Sequence, residues 1–180
     1  NNNSIREYIR NFIMSTLETN LIQPSTGTAL TVGASGDTIT VPSGATLTAP
    51  NHIIQVVNAT VGMTDIAGTD AYIGSGCSIT PSSTSSKIQI FVDGYVEQTT
   101  GSAGDYSILA LHETTTSIAT LNNAITYQYT VGARQPFSIN FTRSPSTTSS
   151  IQYRLYNDNQ SGTATNRYYQ QTWTLMEVAG

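Results

Sequence analysis

Charge is what this chain has least of. Only 10% of its 180 residues are Asp, Glu, Lys or Arg, against about 25% in an ordinary soluble domain. Lys87 is the single lysine, and the formal net charge is -4. A nucleic-acid interface needs several cations on one face, so no nucleic-acid partner is expected. The one cysteine, Cys77, excludes an internal disulfide framework and a multi-cysteine zinc site. Two histidines leave little for catalysis or metal binding. No apolar run approaches the roughly 20 residues that span a bilayer as a helix, so no membrane insertion is expected. The space left by charge is filled by Thr, Ser and Asn. Ample Ile, Val and Tyr at low net charge argue against disorder. Composition therefore points to a folded, β-rich protein that is not an enzyme and carries no cofactor and no metal.

Residues 4–18 are the one good helical stretch. Ile5, Ile9, Phe12, Ile13 and Leu17 recur at helical spacing and make a single apolar stripe. Ser4 and Glu7 stand as a capping box at its start. A helix of about four turns is marginal alone in water, so the stripe needs a partner: copies of itself or another protein. Glu7 and Arg10 interrupt any apolar core of a secretory signal.

Residues 21–50 change character. Gly33–Thr40 and Val41–Thr48 share Ser-Gly-x-Thr-(Ile/Leu)-Thr in register, with a looser copy at Pro24–Thr31. Each unit reads as a Ser-Gly turn followed by a short strand. Such a unit offers too few apolar side chains for its own core, among them Leu30, Val32, Ile39, Val41 and Leu47. Short repeats of this kind are stable when chains wind together or units stack. A short β-repeat shaft is expected, with a flexible Ser/Thr/Gly linker as the bland alternative.

Residues 51–180 read as strands throughout, at roughly 51–61, 70–75, 87–96, 106–112, 124–131, 136–142, 151–157 and 168–178. Phe137–Thr142 and Ile125–Val131 alternate cleanly. Ile53, Ile54, Val56 and Val57 put aliphatics on both faces of the first strand, and Trp173 and Leu175 oppose Met176 and Val178 in the last. A strand apolar on both faces lies between two layers, and a neighbouring subunit can supply the second. Pro81–Ser86 leading into Ile88-Gln89 is echoed by Pro145–Ser150 leading into Ile151-Gln152, as the two halves of a jelly roll would do.

Several segments carry a family resemblance. Met14–Thr31, Gly36–Leu47, Ile79–Ile90 and Thr172–Val178 resemble blocks of tail-fibre-like structural proteins of bacteriophages, many of them marine or cyanobacterial. The resemblance covers nearly all of 14–180, and residues 1–13 precede the point, near Met14, at which the likeness to the family's proteins begins. It implies an all-β virion protein with a shaft (21–50) and a jelly-roll β-sandwich head (51–180) of the tumour-necrosis-factor class; the N-terminal helix (1–20), read from its own apolar stripe and cap, is expected to serve attachment or trimerisation. It also implies a homotrimer located on the virion, at the tail or the capsid surface. Its partners would be sister copies, other phage virion proteins through the N-terminal segment, and a host surface glycan or protein. The alternative reading is a capsid decoration, cement or neck protein that binds only virion partners.

Chemistry fails on inventory. Gly74–Ser78 is not a nucleophile elbow. Cys77 with His52 or His112 as base has a semi-buried strand-end cysteine as its plainer reading. His112, followed by Glu113, reads as a capped strand end or an inter-subunit contact. Asp93 with Glu97, or Asp65 with Asp70, are the nearest carboxylate pairs, better read as turn residues. Asn157–Gly162 has part of a calcium-loop spacing but lacks a carboxylate at its first position, and Tyr168 stands where Glu would close it. The informative feature is position. If consecutive strands are antiparallel, the loops at 62–70, 97–105, 132–135 and 157–167 share the end away from the shaft. There the expected receptor contacts are Asp105, Tyr106, Arg134, Tyr156, Asn157, Asp158, Arg167, Tyr168 and Tyr169. Tyr and Arg offer rings to stack and planar groups to hydrogen-bond.

Overall fold

The computed structural model describes residues 21–43, 45, 49–68, 70–102, 105, 107–125, 131–159 and 164–180. The expected helix with Ile5, Ile9, Phe12, Ile13 and Leu17 lies outside the described residues, as does Tyr106. The contacts divide the chain into Asn1–Leu47 and Thr48–Gly180. No helix occurs among the described residues.

In the first unit the Ser-Gly turns are present. The Asp37 amide donates to Ala34 O at 3.1 Å, and the Ala45 amide to Pro42 O at 3.0 Å. The expected strands are not formed among the described residues: 21–43 carries no ladder, and Leu30, Val32, Ile39 and Val41 are exposed. A single copy of such a repeat offers its backbone groups no neighbouring strand and its aliphatic side chains no cover.

The second unit is a sandwich of two antiparallel sheets. β1 (Ile53–Val61) and β2 (Thr64–Ala67) run on as one ribbon, interrupted at Gly62-Met63. β3 spans Ala71–Ile79, β4 Lys87–Thr100, β5 Ser107–Glu113 and β6 Thr116–Ile125. β7 spans Arg134–Arg143 and β8 Ile151–Asn159. β9 (Thr165–Tyr168) and β10 (Gln171–Val178) again form one interrupted ribbon. β4 pairs along one side with β7 and along the other with β10 and then β9; β1 pairs with β10 and β2 with β9. The second sheet has the order β3-β8-β5-β6. With each interrupted ribbon taken as one strand, the two sheets read 1-8-3-6 and 2-7-4-5 in chain order. That is the double Greek key of a jelly roll.

Alternation explains the core. Ile88, Ile90, Val92 and Val96 of β4, Trp173 and Leu175 of β10, and Tyr168 of β9 point inward from the first sheet. Ile73, Leu109, Leu111, Tyr153 and Leu155 meet them from the second. Pro136 is tolerated in β7 because that strand is a sheet edge. Gly76 sits where β3 departs from its register with β8. Its φ is +68°, and a Cβ there would lie 2.0 Å from the Tyr153 carbonyl oxygen, so only glycine serves.

The hydrogen bonds show two ends. At the base, where β1 begins, the 80–86 loop is tied to β10 through Glu177, and Arg143 of β7 grips Glu113 of β5. At the tip, the Gly68 amide donates to Ala164 O and the Gly132 amide to Gln98 O, joining the same loop set that strand alternation places together.

Three strand expectations need correction. A strand runs over 116–125, where the sequence reading leaves 113–123 between strands, and the connection before it is only a tight turn with Thr114 at φ +57°; residues 126–130 of the strand expected at 124–131 lie outside the described residues. Thr and Ser in Thr116–Thr120 look like loop by polarity, yet β-branched Thr suits a pleated surface. β2 and β9, four residues each, are too short to carry a visible period.

Candidate functional site

The outer face of the first sheet changes chemistry along its length. At the base, Ile53, Ile54 and Val56 are 55%, 38% and 48% exposed. Val56 stands opposite Met176 in the pairing register, and Met176, Val178 and Phe91 are half-buried. This is an apolar corner on one surface. Val57, expected beside them, points inward and packs on the core, because alternation sends it to the other face.

Across the sheet from β1 and β10 the face turns polar: Lys87 shares the row of Ile53 and Val178, Gln89 and Thr142 share that of Val56 and Met176, and Asn58, Thr174 and Asn140 follow in the next row with Phe91. Thr174 donates to Asn58 Oδ1 at 2.9 Å, and Thr142 to Gln89 Oε1 at 2.5 Å. Gln89 also bonds Asn140.

Towards the tip, register builds a four-strand row of alternating charge. Asp65 of β2 pairs with Arg167 of β9, Arg167 with Glu97 of β4, and Glu97 with Arg134 of β7. Arg167 holds Asp65 in a fork, Nε to Oδ1 at 2.8 Å and Nη2 to Oδ2 at 2.9 Å. Arg134 Nε donates to Glu97 Oε2 at 3.2 Å. The Tyr169 hydroxyl donates to the same oxygen, and the Arg134 guanidinium lies 4.2 Å from the Tyr169 ring centroid. The fork from Arg167 lowers the Asp65 pKa. The Tyr169 hydroxyl, with Arg134 behind it, lowers that of Glu97. Both stay ionised well below neutrality, which suits recognition and denies them a general-acid role.

The eight described residues among the nine expected contacts separate into distinct places. Arg134, Arg167 and Tyr169 belong to the charged row. Asp105 caps its own loop, accepting the Ser102 amide at 2.9 Å. Tyr156 and Asp158 lie on the outer face of the second sheet. Asn157 and Tyr168 are interior: the Tyr168 hydroxyl donates to Asn157 Oδ1 at 2.5 Å, and both are buried. They hold the tip together from inside and cannot touch a receptor.

Two clusters are not visible in the sequence. On the second sheet's outer face, the His112 ring stacks on Tyr156 with centroids 4.7 Å apart, and Tyr72 meets both edge-on. The Arg154 guanidinium lies 3.6 Å over the Tyr72 ring, and its Nη2 donates to Thr114 O at 2.6 Å. Burial first, and the nearby Arg154 charge second, push the His112 pKa down. At the base, the fully buried Glu177 carboxylate accepts the Ser82 amide and hydroxyl, the Ser86 hydroxyl and Gln55 Nε2, at 2.6–2.7 Å.

Cys77 is buried, and burial raises its thiol pKa, which leaves it without thiolate character. Among the described residues, no three His, Cys, Asp or Glu side chains converge as metal ligands, and no helix is long and apolar enough to cross a membrane.

No protein-family model matches the chain, and no curated protein matches it. Three similar solved structures illustrate what does. One is a pilus from Bacillus endospore appendages (13% identity over 77% of this chain and 100% of that one, TM-score 0.36). Another is infectious bursal disease virus, Gx strain (12% identity, 80% of this chain, TM-score 0.41), where the match spans 41% of that chain's length. A third is Desmodium yellow mottle tymovirus (12% identity, 82% and 98%, TM-score 0.29). These are virus and surface-appendage proteins, but at such TM-scores the likeness carries neither fold detail nor function to this chain.

Proposed function

We propose that this chain is a virion structural protein, a fibre-type appendage that assembles with copies of itself and meets the host surface with the tip of its jelly roll. The fold alone does not select this reading, because jelly rolls serve capsids, lectins and enzymes alike. The observation that carries it is the division of one sheet face. Its base carries an exposed aliphatic corner on β1 and β10, suited to a sister copy, and its tip half is a row of charges and tyrosines, suited to recognition. The phage tail-fibre resemblance of 14–180 supplies the virion setting. A homotrimer, docked on other virion proteins through the N-terminal segment, is the arrangement proposed. The function is adhesion without catalysis, and multivalency would raise weak single contacts to useful avidity.

The test is binding of the labelled full chain to a panel of bacterial cells, beside Arg134→Ala/Arg167→Ala. Retention on at least one strain, lost in the double variant, is the expected result. Retention on phage particles and on no cell would replace this reading with capsid cementing.

A further inference from the structure

A hollow of about 340 Å³ opens on the same face, one row in from the charged row. Asp93, Gly94 and Tyr95 of β4 and Pro136, Phe137 and Ser138 of β7 line it. Its floor is the backbone of Gly94 and Phe137, whose side-chain directions alternate to the inner face, and its walls are the outward Asp93, Tyr95, Pro136 and Ser138. Gly94 stands opposite Phe137 in the register, and a Cβ on Gly94 would lie 2.6 Å from Phe137 Cζ. On the inner face, the Phe137 ring therefore lies tight against the bare β4 backbone. Tyr95, 53% exposed, stands across from Pro136, and Asp93 across from Ser138.

The groups in this hollow are uncommitted. Asp65 and Glu97 on the same face are held by arginines. The Asp93 carboxylate has no cationic partner among the described residues, and the Tyr95 ring carries no ring or cation contact there. An exposed ring and a proline make an apolar platform. A free carboxylate and a hydroxyl beside it accept hydrogen bonds from neighbouring hydroxyls. The volume lies at the small end of ligand pockets, about 300–1,000 Å³, with room for a single sugar ring.

We propose that this hollow is a saccharide subsite for a neutral hexopyranose. The sugar's C–H face lies on Tyr95 and Pro136, and its hydroxyls donate to Asp93 and Ser138. The Asp93 charge, with no cation free beside it, selects against acidic sugars. The inference deepens the recognition role given to the tip half of this face and rests on it for biological meaning.

The experiment is saturation-transfer NMR on the full chain with methyl glucoside, methyl mannoside and methyl galactoside. N-acetylneuraminic acid and trilysine serve as the anionic and cationic comparisons. Weak, millimolar binding of at least one neutral glycoside is expected. It should fall about tenfold or more in Tyr95→Ala, fall several-fold in Asp93→Asn, and persist in Tyr95→Phe, which keeps the ring. Far-UV circular dichroism and melting establish that each variant is folded. Absence of binding by every neutral glycoside, unchanged binding in Tyr95→Ala, or preference for trilysine or the acidic sugar overturns the inference. Glycoside binding without cell binding sustains the subsite and removes the attachment reading. Cell binding undiminished by Tyr95→Ala and Asp93→Asn, with no glycoside bound, does the reverse.

Discussion

The Ser86 hydroxyl donates to Glu177 Oε1 at 2.6 Å in the interior of the sandwich base, where both residues are buried. Burial alone would raise the Glu177 pKa. The donors from Ser82, Ser86 and Gln55 outweigh it and hold the carboxyl below its ordinary value. A carboxylate lowered on folding contributes stability above its unfolded pKa, and that contribution is lost as pH falls through the folded value. The melting temperature should therefore drop below about pH 4.5. Glu177→Gln should flatten that acid limb, and Glu177→Ala should cost about 2–4 kcal/mol by stranding buried donors. Urea melts across pH 3–7 check both.

His112 gives a second, separable limb. Burial and Arg154 disfavour its charged form on folding. Tyr72 and Tyr156 enclose the ring, and among the carboxylates Asp70 and Asp158 act on Tyr156. A histidine whose pKa is depressed on folding adds stability above its unfolded value, about 6.5, and loses it as pH falls from there. A modest decline in melting temperature between about pH 7 and 5 is expected, and His112→Phe should abolish it while leaving the Glu177 limb in place.

Gly94→Ala should destabilise by about 1–3 kcal/mol through overpacking against Phe137. Adding Phe137→Leu should recover part of that loss, because the shorter side chain withdraws from β4. Denaturant melts of the single and double variants measure the coupling.

Tyr168→Phe and Arg167→Ala should behave oppositely. The first removes an interior hydrogen bond to Asn157 and should cost about 1 kcal/mol of stability with no loss of cell binding. The second should leave melting nearly unchanged and weaken binding. Parallel melting and adsorption measurements separate the two.

That contrast shows what was legible beforehand. Ile151, Tyr153 and Leu155 share a parity that Asn157 continues, so its burial was readable from β8 alone. Tyr168 sits in a four-residue strand with no visible period. The clean alternation of Phe137–Thr142 and Ile88–Val92 revealed inward faces, and loop alternation grouped the tip. The charged row was hidden, because Asp65 and Arg167 are 102 residues apart and meet only through cross-strand register, which one sequence does not print. The Tyr72–His112–Tyr156 cluster was hidden for the same reason. The strand over 116–125 is not legible because Thr-rich strand and Thr-rich loop have the same polarity.

The central claim is that the aliphatic corner at the sandwich base is covered by sister copies. Val56→Asp places a charge there without touching the core, so it should raise the dissociation constant of the assembly about tenfold or more while the sandwich still melts cooperatively. The most direct measurement is the mass of the full chain by light scattering at micromolar concentration. The account predicts three times the 19.2 kDa chain mass, and a stable mass of a single chain at every concentration would contradict it.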